Sequence, residues 1–291
     1  MSRIRSVLVG VDVYERPDVP PLGGCVNDVA LVRHVLKDYL GVPNEDIRVV
    51  VNQRATKENI LHRLRVACES SEEGDVIVFY FSGHGSQIRD RDGDELTDYL
   101  DEVICPYDMD WDRGTFITDD DLDALFAEIP EGVLLEAFVD CCFWGTDRGD
   151  VRFLPPPFDI AARSEGERDL EYHAFVECEC FGDRNVLWAA SEEGQPAGED
   201  TLEGRTHGVF TYWGYRFIEA NIDRIWSGAY SREELFRDVR EYVRSLGYTQ
   251  QAQLTAPLPL LEVAPFTFIA ALAAEVGGED SRRRHPHRTR S

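Results

Sequence analysis

Two long apolar runs, at residues 75–81 (DVIVFYF) and 133–139 (VLLEAFV), constrain the fold of this chain most strongly. A strand that is apolar at nearly every position has to be covered on both faces, as the strands of a parallel sheet are. Segments with helical periodicity alternate with these runs, for example Asn27–Leu40 and Arg232–Leu246. Further strand candidates are Ser6–Val13, Ile47–Val51 and Asn185–Ala190. The alternation predicts an α/β fold, in which helices cover both faces of a mostly parallel central sheet.

Each of the two apolar runs is followed at once by residues that can carry chemistry. The first run leads into SGHGSQ, which contains His84, and the second leads into DCCFWGT, which contains Cys141 and Cys142. Ligands of such sheets bind at the carboxyl ends of the strands, so the histidine and a cysteine are expected to meet on one edge. A thiolate is a strong nucleophile near neutral pH, and a neighbouring histidine is its usual partner. The amides of Gly85 and of the cysteine itself are candidate donors to an oxyanion.

Several motifs in order resemble the peptidase core of the caspase/metacaspase superfamily, and more closely its metacaspase branch, which has bacterial members. They are YFSGHGSQ, DRDGDE with DEVICPYDMD, ITDDDL and VDCCFWGT. The resemblance extends upstream to GCVNDVALVRHVL and downstream through SEEGQPAGE and HGVFTYW to YTQQAQL. It implies a caspase-like α/β/α sandwich, and we expect one peptidase domain over residues 1–270. Within it we expect an exposed linker at about 155–172, and after it a disordered basic tail at 271–291.

The resemblance implies that His84 is the catalytic histidine and that Cys142, the second cysteine of the pair, is the nucleophile. Gly85 and Cys142 would then supply the oxyanion amides. Successive residues of a strand point to opposite faces, so we expect Cys141 to be a buried core residue that points away from Cys142. The predicted activity is cysteine endopeptidase.

An acidic substrate pocket is also implied by the resemblance. It maps onto Asp28 and Asp140, with Cys25 and Ser82 lining it. Carboxylates hold arginine or lysine through charge-assisted hydrogen bonds, which predicts cleavage after a basic P1 residue in basic polypeptide substrates. Two simpler roles stay open, because Asp28 could cap a helix and Asp140 could accept backbone hydrogen bonds at a strand end.

Many metacaspases require calcium, and the matching acidic positions here are Asp101, Asp119 and Asp120, with a fourth at Asp150 or Asp147. Calcium takes several oxygen ligands in flexible geometry, so aspartates from separate loops suit it. Ca²⁺ is therefore a candidate activator. The alternative for residues 119–121 is a capping cluster, attracted to the dipole of the helix that follows.

The sequence departs from the family pattern directly after the nucleophile. Metacaspases commonly have His-Ser-Gly there, whereas this chain has Phe143, Trp144 and Gly145. We expect the two large rings to change substrate access without abolishing catalysis. The predicted linker carries Arg163 and Arg168, which are basic P1 candidates for autocleavage. We expect no prodomain before the peptidase core.

Composition limits the partners and the compartment. Acidic residues outnumber basic ones by 55 to 30, a net charge of −25 that argues against nucleic acid or an anionic membrane as a partner. The same charge favours encounter with basic polypeptides. Seven cysteines in irregular spacing, with no secretory signal and no membrane span, favour a cytoplasmic protein with free thiols. By resemblance we expect a monomer.

Two other functions remain as alternatives. The altered CFWG sequence is compatible with a catalytically silent caspase-like module that binds partners or responds to calcium. A caspase-type protease that cleaves after aspartate is a weaker alternative, since it needs a basic substrate pocket that the sequence does not offer.

Overall fold

The computed structural model describes residues 3–89, 100–142, 152–157, 185–191 and 197–267. Within these ranges six strands form a central sheet in the order β11–β8–β7–β3–β1–β2. All neighbouring strands of this sheet are parallel except β11, which runs antiparallel to β8. The six strands are β1 (Ile4–Gly10), β2 (Ile47–Val51), β3 (Val76–Ser82), β7 (Leu134–Asp140), β8 (Val186–Ala189) and β11 (Gln253–Thr255). The predicted α/β class and mostly parallel sheet are confirmed.

Helices pack on both faces of this sheet and make it the middle layer. They are α1 (Cys25–His34), α2 (Lys57–Glu69), α3 (Asp119–Phe126), α4 (Val209–Ala220), α5 (Ile222–Trp226), α6 (Arg232–Ser245) and α7 (Leu258–Leu261). Successive residues of β3 point to opposite faces of the sheet and pack in different hydrophobic cores. Phe79 packs with residues of α2 and α3, whereas Tyr80 packs with residues of α1, α4 and α6. Because both faces of β3 are buried, its sequence is apolar or aromatic up to Ser82, its last residue.

Three helices begin at residues whose side chains cap the first turn. The Thr56 hydroxyl accepts a hydrogen bond from the Asn59 amide and caps α2. Capping boxes begin α3, at Thr118 and Asp121, and α6, at Ser231 and Glu234. The first predicted helix differs in its bounds. It begins two residues earlier than expected, and after His34 it continues as a π-helical turn, Val35–Tyr39.

Two small sheets were not predicted. Strands β4 (Gly85–Arg89), β5 (Leu100–Ile104) and β6 (Ile117–Thr118) form an antiparallel sheet, and β9 (Glu199–Leu202) pairs with β10 (Arg205–Gly208). Short antiparallel strands give weak periodic signals, so the sequence pattern does not indicate strands in these stretches. Both small sheets matter for function, since β4 begins directly after His84 and β9 begins at Glu199.

A buried ion pair joins the central sheet to α6. Arg232 and Glu136 are both fully buried, and the guanidinium donates two hydrogen bonds to the carboxylate at 3.0 and 2.9 Å. The amide of Phe266 and the indole nitrogen of Trp188 also donate to Glu136. Full pairing of this kind offsets the cost of burying two charges.

Several predicted segments lie outside the described residues: Phe143 and Trp144, most of the 155–172 linker with Arg163 and Arg168, and the 271–291 tail. Of the linker, Pro155 is exposed, while Pro156 and Pro157 are partly buried. In the part of the chain that is described, no helix is both long and apolar enough to cross a membrane.

Candidate active site

The two predicted catalytic motifs meet at the carboxyl edge of the central sheet. Strands β3 and β7 are neighbours, and their last residues, Ser82 and Asp140, stand side by side. A Cβ placed on Gly85 would collide with the carbonyl oxygen of Cys142 and would lie 2.9 Å from the Cys141 sulfur. Only glycine allows this close approach of the two loops. The expectation that both motifs share one edge is therefore confirmed.

His84 is held in a defined orientation. Its Nε2 lies 2.8 Å from the carbonyl oxygen of Pro20, and a carbonyl can only accept, so Nε2 carries a proton. In the neutral ring the unprotonated nitrogen is then Nδ1, which is buried without a hydrogen-bond partner in the described structure. The Tyr14 hydroxyl accepts the backbone amide of His84 at 2.8 Å and fixes the loop. Burial lowers the pKa of His84, so its neutral form is favoured.

The two adjacent cysteines separate as expected. Cys141 packs in the core on the α2 and α3 side of the sheet, whereas Cys142 packs on the opposite side. Burial raises the pKa of Cys141 and keeps that thiol protonated. The sulfur of Cys142 accepts a hydrogen bond from the Ala197 amide at 2.6 Å. The same sulfur lies 3.5 Å from the Ala197 carbonyl oxygen, to which the thiol donates, and the Cys142 side chain is fully buried.

Asp28 lies at the centre of a buried acidic pocket and does not cap α1. It is fully buried, and its carboxylate accepts hydrogen bonds from the Ser82 hydroxyl at 3.2 Å and from the Gly208 amide at 3.0 Å. The helix is instead capped by Asp12, whose carboxylate accepts the amides of Cys25 and Val26. The capping alternative for Asp28 is therefore wrong, and the residue is available for a pocket role.

Asp140 and Glu199 complete the acidic pocket, which we define as the carboxylates of Asp28, Asp140 and Glu199. Asp140 accepts a hydrogen bond from the Thr211 hydroxyl at 2.5 Å, and Thr211 is hydrogen bonded in turn to the hydroxyl of Tyr80. Burial raises the pKa of Asp140 above its ordinary value. Glu199 accepts the Gly24 amide at 2.8 Å. Glu199 was not predicted as a pocket residue, although it is the last residue of the SEEGQPAGE motif.

The acidic pocket is filled by an arginine of the same chain. Arg152 is fully buried, and its guanidinium lies 2.9 Å from Asp28, 2.7 Å from Asp140 and 3.1 Å from Glu199. Gly208 makes room for it, since a Cβ there would fall 2.8 Å from the guanidinium. Burial alone would lower the pKa of Arg152, but the carboxylates raise it, so the group is always charged. No pattern in the sequence distinguishes this residue from its surroundings.

The backbone of Arg152 lies beside the predicted oxyanion position. The Gly85 amide donates to the carbonyl oxygen of Arg152 at 2.9 Å, and the Leu154 amide donates to the Gly85 carbonyl at 2.9 Å. These bonds place Phe153 opposite Gly85 in a parallel bridge. The amide that was predicted to hold a substrate's oxyanion therefore holds a carbonyl of the chain itself.

The predicted calcium residues lie on the neighbouring small sheet and the start of α3. Asp101 and Asp119 are buried, Asp120 is partly buried, and the Glu102 amide approaches the Asp119 carboxylate at 3.4 Å. Burial raises the pKa of Asp119 to about 7, and the charge of Asp120 acts in the same direction. A cation would relieve this cost and carboxylate oxygens suit calcium, but these three aspartates do not bring one oxygen each within 4.8 Å of one another. Asp147 and Asp150 lie outside the described residues.

The capping alternative for residues 119–121 accounts for one of the three aspartates. Asp121 forms the capping box with Thr118 and an ion pair with Lys57 at 2.6 Å, so it is not available as a calcium ligand.

Another group of potential metal ligands shares Glu199 with the acidic pocket. Among the described residues, Asp12, Cys25 and Glu199 alone bring three such ligand atoms within 4.8 Å of one another. Both carboxylates already accept backbone amides, and Glu199 also pairs with Arg152. Burial raises the pKa of the Cys25 thiol as well. The Cys25 sulfur, which was predicted to line the pocket, lies 3.8 Å from the Glu199 carboxylate.

The chain is similar in sequence to known metacaspases. Residues 4–147 match the family model described as metacaspase, peptidase C14 domain. Metacaspase-3 of Arabidopsis thaliana is 31% identical over 225 residues, which cover 74% of this chain and 59% of that protein. The chain spans about a third to two thirds of the length of the curated metacaspases that it matches.

Two solved structures resemble the fold. Protein GSU0716 from Geobacter sulfurreducens has a TM-score of 0.65 and 19% identity, over 92% of this chain and 99% of that one. Caspase-1 from Spodoptera frugiperda has a TM-score of 0.57 and 13% identity, over 93% and 92%. These two likenesses show the fold, while the family match and the metacaspase relatives show that this chain belongs to the caspase/metacaspase superfamily.

Proposed function

We propose that this chain is a cysteine endopeptidase that cleaves basic polypeptides after arginine or lysine. The observation that supports it best is the guanidinium held by the acidic pocket. Three carboxylates surround it at 2.7 to 3.1 Å, at the carboxyl edge of the sheet and beside both catalytic motifs. A pocket that binds the chain's own arginine has the charge and shape to bind the arginine of a substrate.

The proposed reaction uses the side chains and amides of the two catalytic motifs. The sulfur of Cys142 attacks the carbonyl carbon after the basic residue, while the amides of Gly85 and Cys142 hold the oxyanion. His84 transfers the thiol proton to the leaving amine, and the peptide bond breaks to leave a thioester. Water then hydrolyses the thioester and restores the thiol.

The experiment for this proposal compares substrates that differ only at P1. Tripeptide reporters with arginine, lysine or aspartate at P1 are offered to the purified chain, to Cys142→Ala and to His84→Ala. We expect hydrolysis of the arginine and lysine reporters, and loss of turnover by at least about a thousandfold in both variants. Turnover of the aspartate reporter alone would show the specificity to be wrong. No turnover that depends on Cys142 would favour the catalytically silent module.

We also propose that calcium activates the enzyme through Asp101, Asp119 and Asp120. When bound, the cation would neutralise carboxylates that are costly to bury. Calorimetric titration of Ca²⁺ into the chain, into Asp119→Asn and into Glu128→Gln tests this directly. Glu128 is an exposed acid just beyond the end of α3 and is the matched control. We expect Asp119→Asn alone to lose binding, and equal binding by all three proteins would refute the site.

A further inference from the structure

The segment 152–154 lies across the proposed active site as a peptide substrate would. The side chain of Arg152 fills the acidic pocket, and its carbonyl oxygen accepts the Gly85 amide. The side chain of Arg152 thus occupies the acidic pocket, and its carbonyl oxygen occupies the predicted oxyanion position. These are the two places that the P1 residue of a substrate would take. Since a substrate arginine needs the same carboxylates and the same amide, it cannot bind until Arg152 leaves.

We propose that Arg152 is an internal competitive inhibitor of this site, so that the chain is latent until the 152–154 segment is displaced. This inference rests on the proposed specificity for basic residues. It adds that the proposed enzyme regulates its own site with its own arginine.

The contacts on the far side of Arg152 favour inhibition over self-cleavage. The Leu154 amide is bonded to the Gly85 carbonyl, and the Leu154 side chain is buried with Ile88, Val103 and Phe116. If the bond between Arg152 and Phe153 were cut, the new amine of Phe153 would be held in place by these contacts. It would then attack the thioester more readily than water could, and the bond would re-form.

The anchoring also shows how the segment can be released. Leu154 packs against the small sheet formed by β4, β5 and β6, and does not contribute to the acidic pocket. A change at Leu154 therefore weakens the hold on Arg152 and leaves the carboxylates intact. In a two-state description, the apparent affinity for substrate is reduced by the fraction of molecules in which the pocket is open.

Kinetics of three variants on an arginyl reporter peptide test the proposal. Arg152→Ala empties the pocket, Leu154→Ala loosens the segment, and Leu64→Ala is the control, since it truncates a buried leucine of α2 in a different apolar cluster. We expect KM to fall by at least about tenfold in Arg152→Ala, and by less in Leu154→Ala, with kcat within about twofold of the parent. Leu64→Ala should keep the parent KM. If Arg152→Ala fails to fold because three buried carboxylates lose their partner, Leu154→Ala alone decides the matter.

A binding measurement that needs no turnover separates this proposal from the proposed activity. Agmatine, a small guanidinium compound, is added to Cys142→Ala and to Cys142→Ala with Arg152→Ala, and thermal unfolding is followed. We expect agmatine to raise the Tm of the double variant and not that of the single variant. If no protein cleaves any reporter, the proposed activity fails, and the Tm shift still decides whether Arg152 fills a vacatable site. Unchanged or higher KM in a folded Arg152→Ala, or no Tm shift with agmatine, would show that Arg152 is a permanent wall of the pocket.

Discussion

The amide of Gly85, which follows the predicted catalytic histidine, donates a hydrogen bond of 2.9 Å to the carbonyl oxygen of Arg152. This one bond joins the two central features of the molecule, the motif that would stabilise an oxyanion and the arginine that fills the acidic pocket. The proposed catalysis and the proposed inhibition by Arg152 therefore depend on the same amide and the same carboxylates. Variants that change substrate binding can be distinguished from variants that change only the inhibition.

Replacing Asp28 by asparagine should weaken the binding of basic substrates. An asparagine side chain would keep the size of the aspartate and could still form hydrogen bonds, but the charge that faces a guanidinium would be lost. Hydrogen bonds to charged groups contribute about 1.5–3 kcal/mol. In the Arg152→Ala background, where no internal arginine competes, Asp28→Asn should therefore lower kcat/KM for an arginyl peptide by roughly 10- to 150-fold. Steady-state kinetics measure this.

Asp75→Asn is the matched control for Asp28→Asn. Asp75 also pairs with an arginine, Arg5, but it lies just before β3, at the opposite end of that strand from the site. Its kcat/KM should stay near that of the parent. Equal losses in both variants would mean that the effect at Asp28 reflects stability and not substrate binding.

Gly208→Ala should obstruct the acidic pocket. The added methyl group would collide with the Asp140 carboxylate and with whatever guanidinium occupies the pocket. In the Arg152→Ala background, where only substrate competes for the pocket, we expect at least a tenfold loss of kcat/KM for arginyl peptides, a drop that corresponds to about 1.4 kcal/mol. Gly214→Ala is the control, since a Cβ there meets nothing within 4 Å. A Gly208→Ala enzyme as active as Gly214→Ala would contradict the assigned pocket.

The lowered pKa of His84 predicts how the enzyme responds to acid. Burial disfavours the charged ring, so the neutral form that accepts the thiol proton persists to lower pH than in an ordinary histidine, whose pKa is about 6.5. The acidic limb of the profile of kcat/KM against pH should therefore have its midpoint below that value. A midpoint above it would show that the ring is not held neutral by burial.

The same lowered pKa affects stability in a defined direction. In the folded chain His84 binds its proton less readily than in the unfolded chain, so the free energy of unfolding falls as pH drops from about 6.5 through the folded pKa. His84→Gln removes this contribution. Urea unfolding at pH 7.5 and at pH 5.5 should show a smaller loss of stability for His84→Gln than for the parent, and an equal loss would count against the burial argument.

The buried pair of Glu136 and Arg232 should behave as a unit. Arg232→Met leaves the Glu136 carboxylate buried without its partner, and should cost about 3–5 kcal/mol of unfolding free energy. Adding Glu136→Leu should recover part of that loss. Arg237→Gln, which removes an exposed partner of Asp238, should change the free energy by less than about 1 kcal/mol. Denaturant unfolding checks all three, and a double variant less stable than Arg232→Met would contradict this account.

Much of the architecture could be predicted because buried parallel strands have a simple apolar pattern. The runs at 75–81 and 133–139 became β3 and β7, shifted by one residue at each end, and their order placed the two motifs on one edge. Asp28 and Asp140 were predicted as pocket residues from the resemblance of their motifs to metacaspases, and both lie in the acidic pocket.

The missed features depend on contacts between residues that are distant in the chain. Glu199 joins the acidic pocket because a short hairpin brings it to Gly24 at the amino end of α1, 175 residues away in sequence. Arg152 has no local signal, since a buried arginine cannot be told from an exposed one in the sequence until its three carboxylate partners are known. Asp12 as the cap of α1 was hidden for the same reason, because it lies 13 residues before Cys25, whose amide it accepts.

The most direct test of the central claim is covalent labelling by an arginyl chloromethyl ketone, which alkylates a nucleophile only after its arginine has bound nearby. The labelled protein is digested and the modified residue is identified by mass spectrometry, with and without agmatine as a competitor. The account predicts modification of Cys142 that agmatine suppresses and that is faster in Leu154→Ala. Labelling of another cysteine, or labelling of Cys142 by an aspartyl but not an arginyl reagent, would contradict it.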